Sequence, residues 1–117
     1  MARINGNRKG KVGERELAAE FRRLFNVNAR RGQQYNGIEG DDVVGLPGVH
    51  VECKRVEKLN IDTAVLQAKR DAKEGEIPVV FHRKNRRNWL VTLELDDVEI
   101  FVARFGNLLA AAEKVEV

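Results

Sequence analysis

Serine is absent from this 117-residue chain. No serine hydroxyl can therefore act as a nucleophile. The one cysteine, Cys53, excludes an internal disulfide and a zinc site built on paired thiolates. The two histidines, His50 and His82, stand far apart in the sequence, so a histidine-rich zinc cluster is not indicated. No apolar run approaches the ~18 residues of a membrane-spanning helix. The N-terminus lacks the apolar segment of a secretory signal. Together these absences lead us to expect a cytoplasmic protein with no membrane partner.

What is present suits one globular domain over residues 1–117, with 43% apolar and 33% charged residues. The net charge of +3 is unevenly spread. Residues 1–88 hold 19 Lys/Arg against 12 Asp/Glu, whereas residues 89–117 hold 2 against 6. A polyanion would meet the first three-quarters of the chain. Ordinary solubilising charge is the competing explanation.

The stretch Gly40–Arg55 organises the rest. Two apolar runs, Val43–Leu46 and Val49–Cys53, flank a Pro47-Gly48 turn, which reads as a hairpin. On a strand, alternate residues share a face. His50, Glu52 and Lys54 then point one way, near Asp42, and Val49, Val51 and Cys53 point into the core. Two converging carboxylates can hold a hard divalent cation such as Mg²⁺. A lysine beside them can orient a water or stabilise charge on a phosphate under attack. An exposed Glu/Lys ladder is the plainer reading, because Glu-x-Lys alone is common.

Residues 1–9 are polar and basic, with Arg3, Arg8 and Lys9, and read as a mobile arm. A helix follows from near Lys11, with Leu17, Phe21, Leu24 and Phe25 as its buried stripe. Glu14 falls within that stripe and Glu16 on the opposite side. A carboxylate heading an apolar face needs a partner or a cation. Glu14 is thus a candidate third acid, or else a charge that complements the helix dipole. Val27–Arg31 reads as a short strand. The polar, glycine-rich segment 32–40 reads as a loop, where Gln33, Gln34, Tyr35 and Asn36 could meet nucleic acid or simply connect.

Asn60 or Asp62 can cap a helix over Ile61–Lys73. Its inward face is Ile61, Ala64, Val65, Ala68 and Ala72, with Gln67 on the border and Gly75 as the stop. Ile77–Phe81 and Trp89–Leu95 form a second hairpin, the latter with Trp89, Val91, Leu93 and Leu95 on one face. Its tip carries Arg83, Lys84, Arg86 and Arg87, four cations in five residues. Phosphate contact and a solvated turn are both consistent with it. Asp96 can cap a further helix with Val98, Phe101, Val102 and Phe105 inward, stopped by Gly106. A last short helix would cover Asn107–Lys114.

This order of elements, with Asp42, Glu52-Cys53-Lys54 and Gln67 in place, resembles the PD-(D/E)XK nuclease superfamily. More narrowly it is similar to the archaeal-type Holliday-junction resolvases and related phage endonucleases. Lys9-Gly10-Lys11-Val12-Gly13-Glu14-Arg15-Glu16-Leu17 resembles that family's first helix, with Glu14 as its acid. Asp42-Val43-Val44 and Glu52-Cys53-Lys54 match the two motifs of the superfamily's name, and Gln67 matches a glutamine that some members carry. The likeness covers roughly residues 9–101. Asp41 stands where the name has proline. Some resolvases use a loop serine, which this chain cannot supply.

The resemblance implies an α/β, restriction-endonuclease-like fold: a central mixed five-stranded sheet flanked by helices, in the order α-β-β-β-α-β-β-α. It implies Mg²⁺ or Mn²⁺ held by Asp42, Glu52, Glu14 and the carbonyl of Cys53. Lys54 would position or activate water, and Gln67 would orient Lys54 or the phosphate. Arg8, Lys9, Lys11, Arg30, Arg31, Gln33, Tyr35, Arg83, Lys84, Arg86 and Arg87 would hold DNA. A homodimer is often found in such families. The activity implied is a structure-selective DNA endonuclease. Cleavage of nicked, flapped or duplex DNA, or nucleic-acid binding without catalysis, are the alternatives.

Overall fold

The computed structural model describes residues 6–25, 27–32 and 42–115, with side chains described between 10 and 109. The elements run α1 (Gly6–Phe25), β1 (Arg30–Arg31), β2 (Val43–Val44), β3 (Val49–Arg55), α2 (Ile61–Asp71), β4 (Ile77–Arg83), β5 (Leu90–Thr92) and α3 (Val98–Val115). A 3-10 turn over Leu95–Asp97 leads into α3. The chain is a mixed α/β protein with the anticipated order of main elements.

The five strands divide into two sheets among the described residues, not the single five-stranded sheet expected. β1 and β2 pair antiparallel. β3 pairs parallel with β4, which pairs antiparallel with β5. The physical reason lies in the turn after β2. Gly45 has φ +116°, a left-handed conformation that ends the short strand, and a Cβ there would meet the Ala29 Cα at 2.7 Å. The Asp42 N–H still donates to the Val51 carbonyl at 2.9 Å, so β2 reaches β3 through its first residue's neighbour. Gly48, at φ +75°, closes the turn into β3, and its carbonyl accepts from Arg104 on α3 and from the Ile77 N–H at 2.9 Å.

Parallel pairing buries β3 on both sides. Val49 and Val51, with Ile77, Val79 and Phe81 of β4, meet Leu17, Ala18, Phe21 and Phe25 of α1 and Phe105 of α3. On the opposite side, Ala64 and Ala68 of α2 pack on Val80, flanked by Leu59, Ile61 and Val65. Small alanines let α2 approach the sheet closely. Asn60 caps α2 by accepting from the Thr63 N–H at 3.1 Å. Burying each large apolar side chain contributes ~1.5–3 kcal/mol, so the α1 side dominates the core.

Several local expectations need correction. Helix α1 starts at Gly6, so part of the anticipated arm is helical. Leu24 is 43% exposed, because a stripe Leu17–Phe21–Phe25 already fills the contact. β5 spans only Leu90–Thr92, and Leu95 is 84% exposed after the strand has ended. Helix α3 runs through Gly106 instead of stopping there. Its inward stripe is Phe101, Phe105 and Leu108, and Val102 faces outward. A helical glycine is tolerated at a cost near 1 kcal/mol, and packing on both sides of it outweighs that.

Candidate metal centre and nucleic-acid interface

The parallel β3–β4 register places even-numbered residues of β3 toward α2 and odd-numbered ones toward α1. The separation of His50, Glu52 and Lys54 from Val49, Val51 and Cys53 follows from this. Glu52 is only 3% exposed. Its Oε1 lies 3.2 Å from His50 Nε2, and its Oε2 lies 3.6 Å from Lys54 Nζ. Lys54 Nζ donates to Gln67 Oε1 at 3.0 Å. Gln67 reaches Lys54 because α2 lies over this face of β3.

Asp42 enters from the bend just before β2. Its carbonyl accepts from the Gly32 N–H at 2.8 Å, and its Oδ2 accepts from the Cys53 N–H at 2.7 Å. Asp42 is pushed up to about 7, first by burial and then by the charge of Glu52, against the lowering effect of the Cys53 N–H. Cys53 contributes its backbone N–H to the cluster. Burial and the neighbouring carboxylates raise its thiol, consistent with an unreactive side chain.

Glu14 projects from α1 toward the same cluster. Its Oε2 accepts from Arg31 Nε at 3.0 Å. Burial raises its pKa, Arg31 opposes that, and the charge of Glu52 adds to it. Asp42 in turn feels Glu14. Three carboxylates thus share one region with Lys54 and Arg31, and Glu14 also feels Lys11. Carboxylate oxygens gathered in this way fit a hard divalent cation. Asp42 and Glu52 are the pair that converge; Glu14 is tied to Arg31.

Sequence reasoning left His50 without a role and missed Asp71. His50, Glu52 and Asp71 each place a potential ligand atom within 4.8 Å of the others. Asp71 sits one helical turn beyond Gln67, so both residues lie over β3. Strand alternation pointed to His50, and the four-residue spacing from Gln67 pointed to Asp71.

The DNA-contact candidates separate. Lys11 and Arg30 are exposed, and the Arg30 side chain also donates to the Arg31 carbonyl at 3.3 Å. Arg31 is held by Glu14. Arg83 turns toward α1, where it pairs with Glu16 and lies 5.6 Å over the Trp89 ring. Glu16, expected on the solvent side, instead joins Arg83 and Arg55, the latter at 3.2 Å. Lys84, Arg86 and Arg87 are exposed at the β4–β5 turn, where Arg86 has φ 60°. Gln33, Tyr35 and the Asn36 position, with the side chains of Arg8 and Lys9, lie outside the described residues.

A groove of about 1070 Å³ runs between the β3–α2 link and the β4–β5 turn. Lys58, His82, Lys84 and Arg87 are among its lining residues. His82 is a register neighbour of Lys54 on β4, so the groove begins beside the candidate site. Its ring hydrogen-bonds Thr92 Oγ1 at 2.8 Å, and burial lowers its pKa. Lys58 escaped notice in the sequence because it stands in an ordinary charged link.

The geometry places an acid-rich cluster on a mixed α/β frame. A family model described as "Phage putative PDDEXK endonuclease" matches residues 5–113, and the chain belongs to that family. No curated protein and no solved structure gives a significant match. Among the described residues, no helix is long and apolar enough to cross a membrane.

Proposed function

We propose that the protein is a divalent-metal-dependent DNA endonuclease that hydrolyses phosphodiester bonds. The observation that carries this reading is the convergence of Asp42, which accepts from the Cys53 N–H at 2.7 Å, and Glu52 beside Lys54. Membership of the endonuclease family supports the reaction class.

Asp42 and Glu52 would hold Mg²⁺ or Mn²⁺, with Glu14 and the Cys53 carbonyl as further ligands. Such a cation draws electron density from a phosphate and makes a nearby water more acidic. Lys54 has three N–H donors. One donates to Gln67 at 3.0 Å and Glu52 lies 3.6 Å away as an ion-pair partner, so Lys54 can also donate to the attacking water or a phosphate oxygen. Gln67 accepts through Oε1, so its amide nitrogen is directed elsewhere and can donate to the phosphate. Glu14 fixes Arg31 at the edge of the site, where the guanidinium can meet the DNA backbone.

Lys11, Arg30, Lys58, Lys84, Arg86 and Arg87 supply the remaining charge for the duplex, joined by Arg8, Lys9, Gln33 and Tyr35. Contacts of this type position the backbone and read little sequence. A structure-selective enzyme of the Holliday-junction-resolvase kind, acting as a homodimer, fits that contact set. The test compares cleavage of a four-way junction, a flap and a plain duplex with Mn²⁺ and with EDTA. Metal-dependent cutting that Lys54→Ala removes, with DNA binding retained, is expected. Tight, salt-sensitive binding with no metal-dependent product would instead make the protein a binding module.

A further inference from the structure

We propose that His50 is a positioning residue for Glu52: its Nε2–H fixes one carboxylate oxygen so that the other faces Lys54 and the cation site. This rests on the reading of Glu52 as a cation ligand. Four observations carry it. His50 has no exposed surface, so its ring cannot swing away to solvent. Its Nε2 lies 3.2 Å from Glu52 Oε1, while Lys54 Nζ approaches the other oxygen, Oε2. Strand alternation puts the two side chains two residues apart on one face, which fixes their separation. The start of β3 is itself pinned, because Arg104 and the Ile77 N–H both bond the Gly48 carbonyl.

A carboxylate buried to the extent of Glu52 needs hydrogen bonds to both oxygens. With Oε1 held, rotation about the terminal torsion is arrested, and the carboxylate meets a cation in one orientation. Donation by Nε2 also sets the tautomer of the ring. Asp71 lies close enough to make a rival arrangement conceivable, in which His50, Glu52 and Asp71 together ligate a metal. The two arrangements differ in one atom's state: a positioning His50 keeps its Nε2 proton when metal binds, and a ligating nitrogen does not carry one.

The experiment uses the full chain in two parts. Nitrogen-15 NMR of the histidine-labelled wild type reads the Nε2 proton before and after Mg²⁺ saturation. The proton should be present in both states. A bare Nε2 in either state overturns the proposal, whatever the fate of any variant. In the second part, His50→Phe and His50→Gln, checked for fold by circular dichroism, are titrated with Mn²⁺ by EPR without DNA. His50→Phe should weaken Mn²⁺ binding on the order of tenfold or more, the usual range for removal of a residue that orients a ligand. His50→Gln, which can place an amide N–H near the same oxygen, should recover most of that affinity. DNA affinity in EDTA should not change, and kcat should fall while KM holds. Unchanged Mn²⁺ affinity in a folded His50→Phe, or an equal drop in a folded His50→Gln, removes the positioning role. Glu52→Gln separates the two levels: if it leaves Mn²⁺ binding intact, the site reading itself fails.

Discussion

The two faces of β3 carry clusters made from similar side chains, and their charge balance is opposite. On the α1 face, Arg55 and Arg83 share the single carboxylate of Glu16. On the other, Glu52 lies with Asp42, within the field of Glu14, beside Lys54. In the first, cations exceed the acid and both pair with Glu16, although the buried Nε of each lacks a hydrogen-bond acceptor, so the cluster ties α1 to β3 and β4. In the second, carboxylates crowd together and one is pushed up to about 7 by burial and by its neighbour. Crowding of like charge is unfavourable unless a proton or a cation relieves it. Charge balance thus sets the fastening apart from the candidate site, although both read as ordinary Glu and Arg/Lys in sequence.

The largest contrast should come from removing one acid on each face. Glu52→Gln should lower Mn²⁺-dependent cleavage by about a thousandfold, the scale of several kcal/mol of metal-assisted stabilisation. Single-turnover assays on a labelled DNA substrate check this, with DNA affinity in EDTA held within a few-fold. Cleavage surviving in Glu52→Gln would erase the distinction between the faces.

Glu16→Gln should behave in the reverse manner. Two half-buried guanidiniums are deprived of their shared carboxylate, which should destabilise the fold by about 2 kcal/mol. Urea melts measure that, and metal affinity should stay near wild type. A large fall in metal affinity without a change in melting would show that the α1 face belongs to the site.

Next in size is the groove beside Lys54. Replacing Lys84 and Arg87 with alanine should weaken DNA binding about equally for different sequences. It should also flatten the salt dependence by about two in log–log slope, about 0.9 for each phosphate that is no longer neutralised. An unchanged slope would take the groove out of the DNA path.

The last contrast concerns stability against pH, where the sign is the test. Asp42 has an ordinary value of 3.8 and a folded one of about 7. Between these the native protein holds a proton that the unfolded chain has released. The associated stability is complete below about 3.8 and disappears as pH rises through about 7. In EDTA, melting temperatures should therefore carry a downward contribution across that interval. Asp42→Asn should remove it, and Mn²⁺ should offset it above pH ~7 by favouring the ionised carboxylate. A melting profile identical in wild type and Asp42→Asn would count against the coupled pair.

Much of the frame was legible beforehand. The 3.6-residue spacing marked Leu17, Phe21 and Phe25, Asn60 or Asp62 announced α2, and two-residue alternation separated the faces of β3. Legibility ended where packing competed with local preference. Gly106 reads as a helix stop, yet Phe105 and Leu108 on either side of it are both drawn to the core. Arg83 reads as part of a basic tip, yet strand register turns it to Glu16. Gly45 reads as part of the apolar run Val43–Leu46, yet its left-handed angle ends β2 at Val44, two residues short of Leu46.

By itself, then, the sequence determined the kinds of chemistry open to the chain: oxygen ligands without serine or paired thiols, on alternating helices and strands. Those limits follow from residue identity and from periodicities that act over a few residues. Tertiary structure alone decided which carboxylates meet. Asp42 stands just before β2 and Glu52 on β3, Glu14 and Asp71 on different helices, and their proximity depends on how β2 and both helices settle on β3. Contacts between groups distant in sequence are fixed by packing of the whole core, and no local pattern encodes their distances.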